Sequence, residues 1–143
     1  MTEDGHTKPS AGDNPAEPRY GTGPQVLRDA LDVGRFVVAP GCYDSLGARL
    51  AELHGFPAVY MSGLAVTASQ LADPDIELLS MNEMVRQAGL MASAVSIPII
   101  ADADTGYGGL ANVERTTRDY ARTGVAAIHL EDQASPKRCG QMG

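Results

Sequence analysis

The sequence predicts an α/β domain built on a parallel sheet. Three observations carry this reading: four short apolar runs, amphipathic segments between them, and a polar cluster after each run. The runs, at residues 36–39, 58–61, 97–101 and 126–130, are nearly continuous in apolar character and do not alternate. That pattern suits parallel strands covered on both faces. Gly34, Gly55 and Gly124 each precede a run and close an amphipathic stretch, where a left-handed helix stop is expected.

The connecting segments read as helices. Asp44 or Ser45 caps a helix running through His54, with Leu46, Leu50 and Leu53 facing inward. Ser80 opens another and forms a capping box with Glu83; Met81, Met84, Val85, Ala88, Met91, Ala92 and Val95 supply its apolar face. A third spans residues 112–123, with Val113, Tyr120 and Ala121 inward and the pairs Glu114–Arg118 and Arg115–Asp119 outward. The order is strand, helix, strand, helix, strand, helix, strand, at a spacing of roughly 30 residues that matches the βα repeat. Periodicity leaves two architectures open, a doubly wound sheet and an eight-stranded barrel.

Composition narrows the function. The chain has 143 residues, 43% apolar and 20% charged, with a formal charge of -7. An acidic chain without a Lys/Arg run is a poor electrostatic match to nucleic acid or anionic lipid. No apolar stretch approaches the ~20 residues a membrane span needs. Residues 1–22, rich in Pro, Gly, Asp and Glu, read as a disordered tail without the apolar centre of a secretory signal. Residues 23–143 read as one domain. Cys42 and Cys139 have no C-x-x-C spacing, so no disulfide framework or zinc site is indicated. A cytoplasmic protein acting on a small molecule is expected.

The chemistry gathers after the strands. Pro40 to Asp44, Ser62-Gly63-Leu64, Asp102 to Gly109 and Glu131-Asp132-Gln133 follow the runs in turn. In parallel α/β folds these strand ends open on one face, which carries the site. Alternation places Asp102 and Asp104 on one side, with Glu131 at equivalent depth on the next strand. Three converging carboxylates need a cation or a shared proton. Oxygen-only donors suit a hard cation such as Mg2+. The plainer alternative makes Asp102 and Asp104 caps for the following helix. Ser62-Gly63-Leu64 offers a hydroxyl and successive amides to an anion, though Ser-Gly is also a common turn. Cys139 lies between Lys137, Arg138 and Gly140, where flanking cations favour a thiol able to trade a proton. Cys42 reads as packing, and His54 and His129 as structural.

Taken together, A-P-G-x-Y-D-S-L-x-A-R-L, Y-M-S-G, L-x-D-P-D, P-I-I-A-D-A-D-T-G-Y-G and H-L-E-D-Q-x-x-P-K-R-C-G resemble the isocitrate lyase / phosphoenolpyruvate mutase superfamily. The methylisocitrate lyase-like branch, with its carboxyvinyl-carboxyphosphonate phosphonomutase-type members, is the nearest likeness, from about Gln25 onward. The resemblance implies the N-terminal half of a (β/α)8 TIM barrel, with four parallel strands, truncated after the loop that carries Cys139. It implies Mg2+ bound by Asp102, with Asp104 and Glu131 reaching it mainly through water. Tyr60, Ser62, Gly63 and Leu64 match the segment holding the substrate's carboxylate end, and Asp75 an acid near the site. Cys139 matches the lyase cysteine, on a mobile loop with Lys137, Arg138 and Gly140.

The implied reaction is retro-aldol cleavage of a 2-hydroxy di- or tricarboxylate, such as 2-methylisocitrate, to a 2-oxo acid and a dicarboxylate. The longer protein is expected to be a homo-oligomer, and the isolated chain to lack full activity and to self-associate or be marginally stable. Gln141 stands where the lyase loop usually has His, and Leu64 is closer to the mutase pattern than to S-G-G. Mutase or oxaloacetate-type decarboxylase chemistry is therefore the alternative within the superfamily. A truncated, non-catalytic binding or assembly subunit is the alternative outside it.

Overall fold

A computed structural model describes residues 23–140. The proposed tail at 1–22 and the position of Gln141 lie outside them.

Four parallel strands, β1 (Gly41–Cys42), β2 (Val59–Met61), β3 (Ile99–Asp102) and β4 (Ala127–His129), pair in the order β1-β2-β3-β4. Sequential order without a reversal is what a barrel's strands show; a doubly wound sheet reverses its strand order at a switch point while its strands stay parallel. The register pairs Tyr60 with Ile100, Ile100 with Ala127 and Asp102 with His129, so these residues share one face. Val59, Met61, Ile99 and Ala101 share the other and are buried in the core beside Met84, Ala88 and Met91. One face is thus packed while Tyr60, Ile100 and Ala127 on the other are only half-buried. The expectation of strands covered on both faces is not met among the described residues.

The first strand is displaced from its predicted place. Phe36, expected in a strand core, is 89% exposed. The β1–β2 register pairs Gly41 with Tyr60, which would set residues 36–39 against 55–58. There the chain is still turning out of a helix, with Gly55 and Phe56 donating to Glu52 and Ala51, and Pro57 has no N–H to offer. The ladder therefore starts late, with Tyr60 donating to the Pro40 carbonyl at 3.0 Å. The other three strands fall within the predicted runs or one residue beyond.

Five helices are described. The run closed by Gly34 (φ 69°) forms α1 (Gly23–Asp32). In α2 (Ser45–Leu53), the Asp44 side chain caps the Gly47 N–H as expected. Its inward face is Ala48 and Ala51, however, and Leu46 and Leu53 are both 66% exposed. The start fixed by Asp44 turns the small residues to the sheet, where Gly47 already lies against Cys42. The expected Leu stripe is corrected accordingly. Helix α3 (Gly63–Leu71) was not expected; the Ser-Gly that reads as a turn is its start, with the Ser62 hydroxyl capping Ala65. Helix α4 (Met81–Ala94) has the predicted Ser80–Glu83 capping box and buries Met84, Ala88 and Met91. In α5 (Leu110–Ala121) the buried residues are Thr116 and Tyr120, one turn apart, whereas Ala121 is exposed, contrary to expectation. Both predicted outer ion pairs form, Glu114–Arg118 at 2.6 Å and Arg115–Asp119 at 3.4 Å.

Candidate active site

The C-terminal strand ends converge on Asp102, the last residue of β3. Its carboxylate is held from two sides: Oδ2 accepts the Gly63 N–H at 3.0 Å, and Oδ1 accepts the Asp104 N–H at 3.0 Å. The first contact sets the carboxylate against the positive end of α3. It also explains the glycine, since a Cβ at position 63 would lie 2.7 Å from Asp102 Oδ2. The Gly63 amide expected to face an external anion is thus engaged by Asp102, and the Ser62 hydroxyl by Ala65. Leu64 is partly exposed beside them.

Asp104 follows in a left-handed conformation (φ 48°), which costs an L residue about 1–2 kcal/mol. Tyr107 (φ 62°) donates its hydroxyl to Asp104 Oδ2 at 2.6 Å. From below, α5 holds the same loop: Tyr120 Oη donates to the Asp102 carbonyl at 2.8 Å and Thr116 Oγ1 to the Gly106 carbonyl at 3.0 Å. Burial, joined by nearby carboxylate charge, pushes the Tyr107 and Tyr120 phenols well up, so both remain donors. Gly106, at φ 89° with Val113 Cγ2 2.6 Å from where its Cβ would be, permits the turn.

Lys137 occupies the middle of the cluster. Its fully buried Nζ lies 2.5 Å from Asp104 Oδ1, 3.3 Å from Asp75 Oδ2 and 3.6 Å from Glu131 Oε1. Burial lowers the ammonium's pKa, but Asp104, Asp102 and Asp75 outweigh it and push the net value up. Burial in turn raises the Asp75 carboxyl, against the pull of Lys137, with Asp104 and Asp102 adding to the rise. Sequence position paired Lys137 with Cys139; the structure commits its charge to carboxylates instead. It also places an ammonium among the acids that the sequence groups with Asp102. Among the described residues, no three His, Cys, Asp or Glu side chains are gathered to hold a metal as they stand. Asp104 and Glu131 are gathered, with Asp75, around an ammonium. The donors still fit a hard cation in kind: all are oxygens, and a buried cation already rests among them.

Tyr60 lines the open face, its Oη 2.9 Å from His129 Nδ1. Burial, then the Asp102 charge, keeps this phenol protonated. Cys139 is half-buried and donates its N–H to the Asp75 carbonyl at 3.2 Å. Arg138 is exposed, its N–H bonded to Gln133 Oε1 at 3.2 Å, and Gly140 is exposed beyond it. Cys42 packs in the core as expected, where burial raises its thiol. Glu77 was not singled out from the sequence. Its carboxylate accepts from Thr105 Oγ1, from Ser135 Oγ at 2.6 Å and from the Lys137 N–H at 3.3 Å. No spacing rule marks it, because its partners lie 28 to 60 residues away.

Buried acids and one ammonium gathered at the strand ends of a parallel α/β fold form a carboxylate cluster at the face where barrel folds carry their sites. Residues 27–142 match the phosphoenolpyruvate phosphomutase family, and the chain belongs to that family, within the isocitrate lyase / phosphoenolpyruvate mutase superfamily. It is 52% identical over 116 residues to an isocitrate lyase of Haloferax volcanii, covering 81% of this chain and 34% of that protein. The crystal structure of a phosphoenolpyruvate phosphomutase from Streptomyces platensis subsp. rosaceus aligns with TM-score 0.81 and 43% identity, over 85% of this chain and 42% of that one. A phosphonopyruvate hydrolase solved with oxalate and Mg2+ aligns with TM-score 0.76 and 43% identity, over 79% and 40%. The chain thus spans about two-fifths of the length of these relatives. By name these relatives are a lyase, a phosphomutase and a hydrolase.

Proposed function

We propose that the chain carries the metal- and carboxylate-binding part of a carbon–carbon lyase. Its substrate would be a 2-hydroxy di- or tricarboxylate of the 2-methylisocitrate kind, cleaved to a 2-oxo acid and a dicarboxylate. The observation that carries this reading is the acid cluster, in which Asp75, Asp104 and Glu131 surround one buried cation beside Asp102. Four carboxylates against one ammonium leave a strong excess of negative charge, which a divalent cation would offset.

Asp102, Asp104 and Glu131 are the residues proposed to hold Mg2+. When bound, the ion would neutralise charge on the 2-oxo acid end of the substrate. The Gly63 N–H at the start of α3 holds and aims the Asp102 carboxylate, and the Tyr107 hydroxyl does the same for Asp104. Tyr60 offers a protonated phenol on the open face, and Ser62, Gly63 and Leu64 are proposed to border the substrate's carboxylate. In the cleavage a base takes the hydroxyl proton, the hydroxyl oxygen becomes a carbonyl, and the C–C bond pair moves to the departing dicarboxylate carbon. The Cys139 thiol is proposed to deliver a proton to that carbon and become a thiolate, with Lys137, Arg138 and Gly140 shaping its loop.

The similarity to an isocitrate lyase supports this reaction, and the oxalate and Mg2+ in the phosphonopyruvate hydrolase support the ligand class. The similarity to a phosphomutase favours mutase chemistry as a second reading, and Cys139 separates the two. A binding or assembly subunit would not need buried like charges at this density. The reading also includes a cytoplasmic location. Homo-oligomeric assembly is proposed for the longer protein, along with incomplete activity of these residues alone.

The test is Mg2+-dependent release of a 2-oxo acid from 2-methylisocitrate and substituted malates by the longer protein, with and without Cys139→Ser. Metal-dependent release lost in the variant supports the lyase. Release unaffected by the variant removes the thiol from the reaction, and conversion of a phosphonate instead would establish the mutase reading.

A further inference from the structure

We propose that Glu77 is a positioning residue, a latch that holds the segment of Lys137, Arg138 and Cys139 against the acid cluster. Its carboxylate spans two separate loops. One oxygen accepts from Thr105 in the turn after β3, and the other accepts from Ser135 Oγ at 2.6 Å and the Lys137 N–H at 3.3 Å after β4. Two residues earlier, Asp75 takes hold of the same segment twice. Its carbonyl accepts the Cys139 N–H at 3.2 Å, and its carboxylate meets Lys137 Nζ at 3.3 Å. The stretch from Asp75 to Glu77 therefore grips residues 135–139 at four points: the Ser135 hydroxyl, the Lys137 and Cys139 N–H groups and the Lys137 ammonium.

The backbone makes the assignment specific. Glu77 adopts φ 65°, the left-handed region that glycine fills without penalty. A side chain kept in such a conformation is retained by what it holds, and here it holds three donors. Both carboxylate oxygens are engaged, so an amide at this position could not reproduce the set, having one acceptor oxygen where there are two. The hydrogen-bond partners of Glu77 are Thr105, Ser135 and the Lys137 N–H, and it acts through the segments that carry them. That the latched segment is catalytic rests on the proposed function; that it is latched does not.

The test compares the unmodified chain with Glu77→Gly and Glu77→Gln. The readouts are iodoacetamide labelling of Cys139 against Cys42 and hydrogen exchange at the Lys137 amide, both by mass spectrometry, alongside thermal melts. Glu77→Gly should label Cys139 and exchange Lys137 about tenfold faster, as expected when a local opening becomes easier. Cys42 labelling should stay unchanged and the melting temperature fall only modestly, because relief of the left-handed backbone offsets part of the lost hydrogen bonding. Glu77→Gln should show the same pattern to a smaller degree. Unchanged Cys139 and Lys137 rates in both variants would overturn the latch. So would Cys42 and Cys139 accelerating together, since that reports loosening of the whole fold. No turnover is measured, so an inactive enzyme with faster labelling in the variants would sink the lyase reading and leave the latch standing.

Discussion

Lys137 Nζ lies 2.5 Å from Asp104 Oδ1, with both side chains out of solvent. This contact joins the segment after β4 to the segment after β3, and it makes one ammonium the counter-charge for several buried acids. Replacing Lys137 with Met should be severe, because it leaves Asp75 and Asp104 buried without their counter-charge; about 3–5 kcal/mol is the usual loss for breaking such a pair. Thermal melts would show a large drop, partly restored by millimolar Mg2+. The pKa of Lys137 is raised in the fold. Its contribution is therefore complete below the unfolded lysine value of about 10.4 and is lost as pH climbs through the raised value. The gap between the two melting temperatures should hold constant from pH 6 to 9.

Gly63→Ala tests the approach of α3 to the cluster. A Cβ 2.7 Å from Asp102 Oδ2 forces either the helix or the carboxylate to move. Overpacking of this kind costs about 1–3 kcal/mol. The expected result is a lower melting temperature together with weaker magnesium binding in calorimetry. Equal loss from Gly89→Ala, where the nearest atoms are ordinary contacts at 3.7 Å and beyond, would show the effect to be general.

Tyr120→Phe removes the hydroxyl that α5 sends to the Asp102 carbonyl. Leaving that buried acceptor unpaired should cost about 1–3 kcal/mol in urea unfolding. The unfolding slope should not change, since the surface exposed on unfolding is the same.

The Glu77 carboxyl is held below the ordinary carboxylate value: burial would raise it, but bonds from Ser135, Thr105 and the Lys137 N–H outweigh that. A lowered folded pKa gives stability that is present above the unfolded value of about 4.3 and is lost as pH falls through the folded one. The melting-temperature difference between the unmodified chain and Glu77→Gln should accordingly shrink as pH drops from 6 toward 3. A difference independent of pH would mean that the charge on Glu77 does not contribute.

The sequence exposed those parts of the fold that depend on local pattern. Ser80 and Glu83 capped α4 as read, because a capping box is settled within four residues. Asp102, Asp104 and Glu131 were placed at one end of the sheet by strand alternation and loop position. What escaped notice depends on distant partners. Residues 36–39 are apolar enough for a strand but face a helix end and Pro57 across the sheet. Leu46, Leu50 and Leu53 form a valid inward stripe, yet the Ala48–Ala51 stripe of the same helix is the one that meets the sheet. Lys137 was read from its neighbour Cys139, and its true partners lie on three other segments. Glu77 carried no signal at all, since its role exists only once two remote loops are folded beside it.

The most direct test of the central claim is titration calorimetry of MgCl2 into the longer protein in the presence of oxalate, repeated with Asp102→Asn. One magnesium per chain, with uptake at least tenfold weaker in the variant, is the outcome the acid cluster requires. Absence of uptake by the unmodified protein, or equal uptake by Asp102→Asn, would contradict a cation site at the ends of β3 and β4.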